Sequence, residues 1–223
     1  MLADFKKTPI TLLLVILTSL IFLTMQLFYF GNASSSQAVF QFGGMYGDFV
    51  RYAPSQIWRL VTPIFVHIGW EHFIMNSLTL YFVGSMAERV WGSLRFLLLY
   101  LLSGIMGNLF TLLLTPGVVS AGASTSLFGL FAAFAVVGYY GRSPYLQQVG
   151  KSYLALIIMN LFVNLFMTNV GMAGHIGGAI GGLLASLFLP TQVEPLLFDK
   201  SKKLLGLLGY IVIACLILIF VFR

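Results

Sequence analysis

Three histidines, one asparagine and a short run of hydroxyls are the residues of this chain whose types and spacing could do chemistry. The hydroxyls stand in Gly122-Ala-Ser-Thr-Ser-Leu-Phe-Gly129, where a long apolar segment begins. The histidines are His67, His72 and His175, and the chain has no others. A histidine beside a serine activates the hydroxyl, because the imidazole takes its proton as the oxygen attacks. Ser124 begins a helix, where free backbone N–H groups also point outward, and His175 opens a later one and could act as its base. His72 and Asn76 are four residues apart and share one helix face. Two donors aimed at one point are what a developing oxyanion needs. Ser126 lies two residues beyond Ser124, about 200° around the helix, and points elsewhere. Its expected task is a hydrogen bond back to its own helix.

A metal site competes for the same histidines. The stretch "HIGWEH" superficially resembles zinc-hydrolase helices of the H-E-x-x-H or H-x-x-E-H kind. Here the histidines are five apart, which separates them by about 140° on a helix. Only His175 remains as a further nitrogen ligand, and too few intramembrane acids exist to complete a site, so neither metal nor any other cofactor is expected. A triad carboxylate is also missing. Asp4, Glu88, Glu194 and Asp199 fall at the opposite face, while Asp48 and Glu71 belong to the first outer loop or its end. The expectation is a Ser–His dyad with something other than a charge orienting the imidazole. Phe128 is one turn beyond Ser124 on the same face, and its ring could stack against His175.

The elements that position these residues are apolar helices. The chain is 59% hydrophobic and 8% charged, with a mean hydropathy of +0.98. A soluble domain carries roughly a quarter charged residues. A large buried core would account for apolar content but not for runs that approach the ~20 residues needed to cross hydrocarbon. The fold class is an all-α polytopic membrane protein forming a single domain over 1–223. Seven segments are expected at about 9–30, 71–87, 94–115, 123–140, 152–168, 173–190 and 203–222. The first is longer than the ~7–15-residue core of a secretory signal. An aromatic-rich, amphipathic connection, 31–70, reads as a structured interfacial loop.

Charge placement sets the topology. An inside N-terminus puts Lys6, Lys7, Arg89, Arg95, Arg142, Lys151, Lys200, Lys202 and Lys203 inside, against Arg51, Arg59 and Arg223 outside. The expected orientation is N-in and C-out, with all three histidines and Ser124 at the outer face. The basic residues form no patch or stripe, so the sequence pI of about 9.6 implies no nucleic-acid partner. The lone Cys215 excludes an internal disulfide.

Glycines supply the remaining clue. Gly178-x-x-x-Gly182 and Gly177-x-x-x-Gly181 give smooth faces that let helices approach closely, and Gly129, Ala132, Ala133 and Ala135 on the fourth segment answer them. Such packing would bring Ser124 within reach of His175. Asn160, Asn164, Asn108 and Ser103 read as polar packing residues between helices.

Taken together, "HIGWEHFIMN", "GASTSLFG" and "AGHIGGAIGG" resemble the rhomboid intramembrane serine proteases, in that family's order and spacing, from about Trp58 to Gly182. The resemblance implies that Ser124 is the nucleophile and His175 the general base. It makes His72 and Asn76 oxyanion-stabilising, together with the Ser124 N–H. Gly122 belongs to the nucleophile motif, and Gly178 and Gly182 are packing glycines. It implies a mainly structural role for His67, and it matches Trp58-Arg59 to a Trp-Arg pair of the first outer loop. Helices within about 9–190 then form the core, and 203–222 is the extra C-terminal helix of six-plus-one members. Asn164 falls on a helix that the resemblance associates with substrate approach.

One departure stands out. Thr125 follows the nucleophile where the family commonly has glycine, and its stiff β-branched side chain could alter the backbone beside the oxyanion site. The implied activity is endoproteolysis of single-span membrane proteins in the bilayer of the cell membrane, with the site open to the outer face. The place of Asn169 to Met172 over that site makes this loop the expected lid. Two alternatives stay open. An inactive rhomboid-like membrane-protein binding factor would share the fold but would normally lack the serine or the histidine. A small transporter should show broken helices or paired repeats, and the sequence has neither. Oligomeric state is not legible in it.

Overall fold

The computed structural model describes residues 7–164, 166 and 171–223. Its helices are α1 (Pro9–Tyr29), α2 (Ser36–Gln41), α3 (Gly47–Tyr52), α4 (Gly69–Thr79), α5 (Ser85–Trp91), α6 (Ser93–Leu114), α7 (Ser124–Tyr140), α8 (Pro144–Asn164), α9 (Met172–Phe188) and α10 (Lys200–Val221). A π-helical segment, Leu80–Gly84, joins α4 to α5 without a break, so the second apolar segment is one rod from Gly69 to Trp91. Among the described residues, α1, α6, α8 and α10 are long and apolar enough to cross a membrane, and α7 and α9 are shorter apolar helices.

Local chemistry sets the helix ends. Pro9 occupies the first turn of α1, where its missing N–H costs nothing and its fixed φ suits the helix. Phe30 closes α1 in the left-handed region at φ 37°, the geometry in which many helices terminate. The Asp199 side chain accepts from Lys202 N–H and caps α10.

At the centre, α9 packs most extensively against α6 and α7; α8 lies against α7, and α10 against α9. Trp91, Phe96, Leu99, Tyr100, Leu130 and Phe134 fill the space between them with no exposed surface. Polar ties hold the end opposite the histidines. The Glu88 carboxyl accepts from Ile10 N–H at 3.0 Å, from Thr11 N–H and hydroxyl at 2.8 Å each, and from Ser93 hydroxyl at 2.6 Å. An acidic group at a helix N-terminus satisfies its free donors and complements its dipole. Glu194 does the same for α8, accepting from Arg142 and Ser143 N–H.

Glu88→Ala strands the α1 donors in a buried setting, where each unsatisfied group costs roughly 1–3 kcal/mol. The expected loss is about 3 kcal/mol, read as a lowered unfolding midpoint in detergent.

The connection before α4 is structured, with α2, α3 and two 3-10 turns, Pro54–Leu60 and Thr62–Phe65. A two-residue ladder pairs Met45 with Ser120 and Tyr46 with Val119, which the sequence reading did not anticipate. Arg59 organises this loop from within. Its guanidinium lies 4.0 Å from the Phe40 ring centroid and 4.4 Å from that of Trp58. It donates to the carbonyls of Phe40 at 2.8 Å and Gly44 at 2.7 Å. Trp58-Arg59 is therefore a loop-building pair. Arg51 donates to the Leu112 and Leu113 carbonyls and fixes the loop to the C-terminal end of α6, where a cation is favoured.

Candidate active site

The backbone before α7 is held from below. Gly122 N–H donates to the Pro63 carbonyl at 2.8 Å, and Ala123 N–H donates to His67 Nε2 at 3.2 Å. Burial first, and then the neighbouring His72, push the His67 pKa down to about 3. His67 thus stays neutral, with Nε2 as acceptor and its proton on Nδ1. Gly122 has φ +137°, a conformation open to glycine and hostile to other residues. Space requires glycine there as well. A β-carbon at Gly122 would lie 2.5 Å from His72 Cε1, 2.9 Å from His72 Nε2 and 3.6 Å from Ser124 Oγ. The small volume beside Gly122 is the one that His72 and Ser124 share.

Ser124 is the first residue of α7, so its N–H has no partner within the helix. Across from it stands His175, near the start of α9. The two helices meet with almost no side chain between them. A β-carbon at Gly178 would collide with the Thr125 carbonyl, and one at Gly182 with the Gly129 carbonyl. That closeness brings His175 Nε2 to 3.0 Å from Ser124 Oγ. The Phe128 ring stacks on the imidazole, with centroids 4.2 Å apart and planes 8° from parallel.

Of the remaining candidates, Thr125 and Ser126 are placed differently from the sequence reading. Asn76 is buried, but its Nδ2 donates to the His72 carbonyl one turn back at 2.8 Å. One amide hydrogen therefore remains for a ligand. Thr125 points away from the site. Its side chain fits against Gly107 and Gly174, where added β-carbons would approach it to 2.7 and 3.0 Å. Two bare glycines thus make room for the branched residue. Ser126 is fully buried and faces α6, where a β-carbon at Gly104 would collide with its hydroxyl. Its expected bond to its own helix is not formed among the described residues.

Asn160 uses its amide on its own helix, donating to the Leu156 carbonyl, and so is not interhelical glue. Ser103 likewise donates to the Leu99 carbonyl, whereas Asn108 reaches the Leu60 carbonyl. Asn164 does something the sequence did not disclose. Its amide lies 3.1 Å from His175 Nδ1, on the far side of the imidazole from Ser124. The only advance signal was an asparagine kept in an apolar helix.

The expected lid at Asn169 to Met172 falls partly outside the described residues, as do Asp4 and Lys6. Among the described residues, no three His, Cys, Asp or Glu side chains converge as metal ligands would.

Residues 54–192 match the sequence model of the rhomboid domain. The chain is 36% identical over 183 residues to rhomboid protease GluP of Bacillus subtilis (strain 168), covering 82% of this chain and 35% of GluP. It is 33% identical over 143 residues to YdcA of the same organism, covering 64% of this chain and 72% of YdcA. It is also 34% identical over 128 residues to inactive RHOMBOID-like protein 8 of Arabidopsis thaliana, covering 56% of this chain and 36% of that relative. The chain spans about a third of the length of GluP and of the Arabidopsis protein.

Proposed function

The chain belongs to the rhomboid family of intramembrane proteases, and from that premise we propose that it is a serine endopeptidase cutting transmembrane segments of single-span membrane proteins. The observation that carries the reading is the 3.0 Å approach of His175 Nε2 to Ser124 Oγ. In the proposed mechanism His175 takes the Ser124 proton as the oxygen attacks the scissile carbonyl. The oxyanion is held in the volume beside Gly122 by the Ser124 N–H, by His72 Nε2–H and by the second hydrogen of the Asn76 amide. The imidazolium then protonates the leaving amine, and an acyl-enzyme remains on Ser124. Water, with His175 again as base, hydrolyses it. Phe128 fixes the plane of the imidazole, and His67 fixes the backbone that carries the nucleophile.

The same reading has seven membrane-spanning segments in one domain over 1–223, N-in and C-out, in the cell membrane. The site then opens to the outer face and receives water from that side. Charge placement supports this orientation.

A second reading is kept by one comparison. A relative named inactive is 34% identical to this chain, so a membrane-protein binding factor without activity is the alternative.

The deciding experiment treats the protein in liposomes with a fluorophosphonate and maps the adduct by mass spectrometry, alongside cleavage of a single-span reporter. An adduct on Ser124 with reporter cleavage supports the protease. Capture of an intact reporter without adduct or cleavage supports the binding factor, and loss of cleavage on adding a chelator points instead to a metal enzyme.

His72→Ala removes one oxyanion donor, a change that typically costs ~10²–10³ in rate. The expected result is a fall in kcat of about 10²-fold at nearly constant KM. A rise in KM with kcat unchanged would remove His72 from the oxyanion site.

A further inference from the structure

The imidazole of His175 is approached from three sides, and the proposed mechanism uses two of them. Ser124 meets Nε2, Phe128 covers the face, and the Asn164 amide stands 3.1 Å from Nδ1. Asn164 ends a helix that is otherwise lightly held. On α8 only Leu146, Gly150 and Ile157 are buried, and Ile158, Met159, Phe162 and Val163 near its end are exposed. An amide in such a helix is costly at membrane depth. Asn160, one turn earlier, satisfies its own by bonding within the helix, whereas Asn164 turns to His175.

The chemistry of the imidazole decides what this contact does. A neutral histidine carries one proton on one of its two nitrogens. To accept the serine proton, Nε2 must present a lone pair, so Nδ1 must carry the hydrogen. That hydrogen needs an acceptor, and the Asn164 amide offers one in Oδ1, whose place is interchangeable with that of Nδ2 by rotation of the amide. With Nδ2 toward Nδ1, the orientation recorded at 3.1 Å, the proton sits on Nε2 and points at Ser124, and the histidine cannot act as base. Half a turn of the amide brings Oδ1 to the same place. The two amide orientations thus select a competent and an incompetent imidazole.

We propose that Asn164 is a positioning residue, a third member beside Ser124 and His175, whose Oδ1 accepts the Nδ1–H of His175 and holds the base in its productive tautomer. This rests on the serine-protease reading above. The role is that of the orienting group in a catalytic triad, supplied here as a neutral amide from α8. It keeps the site free of a charge that would have to be desolvated, and it also bonds to the imidazolium that forms when Ser124 attacks. His72 on α4 is the titratable side chain whose charge reaches His175. The sequences of α7, α8 and α9 place no other ionisable residue near this end.

The test compares wild type, Asn164→Ala and Asn164→Asp in liposomes. The readouts are kcat, KM, the pH profile of kcat/KM and the rate of fluorophosphonate labelling at Ser124. Asn164→Ala is expected to lower kcat and the labelling rate 10- to 100-fold, with KM changed less than about threefold, as loss of an orienting contact should. Asn164→Asp, nearly the same in shape, is expected to recover most of the rate. It should also move the acid limb of the profile upward by about one pH unit or more, because a carboxylate beside the imidazole favours its charged form. A merely structural asparagine would not move that limb. Wild-type kcat in Asn164→Ala, or an unmoved acid limb in Asn164→Asp, overturns the assignment. Failure of wild type to label at Ser124 overturns the protease reading itself, so the two failures are distinguishable.

Discussion

Ser124→Ala is expected to reduce cleavage about 10⁴- to 10⁶-fold, the range found when members of a serine-protease triad are deleted, and to eliminate fluorophosphonate labelling. Position singles out this hydroxyl from its neighbours. Of the three neighbouring hydroxyls, only Ser124 Oγ lies within hydrogen-bond distance of an imidazole, at 3.0 Å. Thr125 is buried between α6 and α9, against Gly107 and Gly174, and Ser126 is buried against Gly104 of α6. Neither can meet a substrate without unwinding the start of α7. Ser126→Ala should therefore keep full labelling and change stability by about 1 kcal/mol at most, the net worth of one buried hydrogen bond such as that with Tyr100. His175→Ala should match Ser124→Ala, and the double variant should be no worse, because residues that act as one unit are not additive. Cleavage surviving in Ser124→Ala would remove the covalent mechanism, and labelling that moved to Ser126 would exchange their roles.

The legible features were those written in short stretches of chain. Apolar runs placed α1, α6, α7 and α9 within a residue or two and α10 within three, because hydrocarbon thickness and helix rise fix their lengths. The approach of Ser124 to His175 was legible because the glycines of α9 and the hydroxyls of α7 are each local patterns. The start of α8 at Pro144 was not. Its first two turns carry Gln147, Gln148 and Lys151, which read as loop by hydropathy. What makes them helical is distant in sequence, through capping by Glu194 and the close crossing of Gly150 with Gly138. Arg59 was legible as an outside charge and as half of a Trp-Arg pair, but not its enclosure by Phe40 and Trp58. Asn164 was noticed as a polar packing residue on an apolar helix linked to substrate approach, not as a partner of His175. Its bond to His175 depends on how α8 returns toward α9, which no periodicity encodes. The Thr125 departure had the opposite outcome. The threonine looked like a perturbation of the oxyanion backbone, but its side chain fits beside Gly107 and Gly174.

The α7–α9 crossing is the second place where a single change should have a very large effect. Gly178→Val and Gly182→Val put branched side chains where even a β-carbon would collide with the carbonyls of Thr125 and Gly129. These obstacles are backbone atoms of a helix whose buried face includes Phe128, Leu130 and Phe134, so they cannot swing aside as a side-chain tip would. The helices must separate, and overpacking of this kind typically costs 1–3 kcal/mol and occasionally more. Separation also acts on the chemistry. Ser124 and His175 sit on the two helices that would be driven apart, and a misplacement of about 1 Å can cost 10²-fold in rate. The expected result for Gly178→Val, which is closer to the dyad, is a loss of more than 10²-fold in cleavage and labelling together with a lowered unfolding midpoint. Gly182→Val, one turn further from the dyad, should lower the midpoint as much while costing less in rate. Gly209→Ala on α10 is the matched control, since its new β-carbon meets only the tip of Leu184 at 3.3 Å and should leave both readouts near wild type. If Gly178→Val and Gly209→Ala labelled at equal rates, the reach between Ser124 and His175 would not depend on close helix contact. The glycines would then serve the bilayer-embedded fold without serving the dyad.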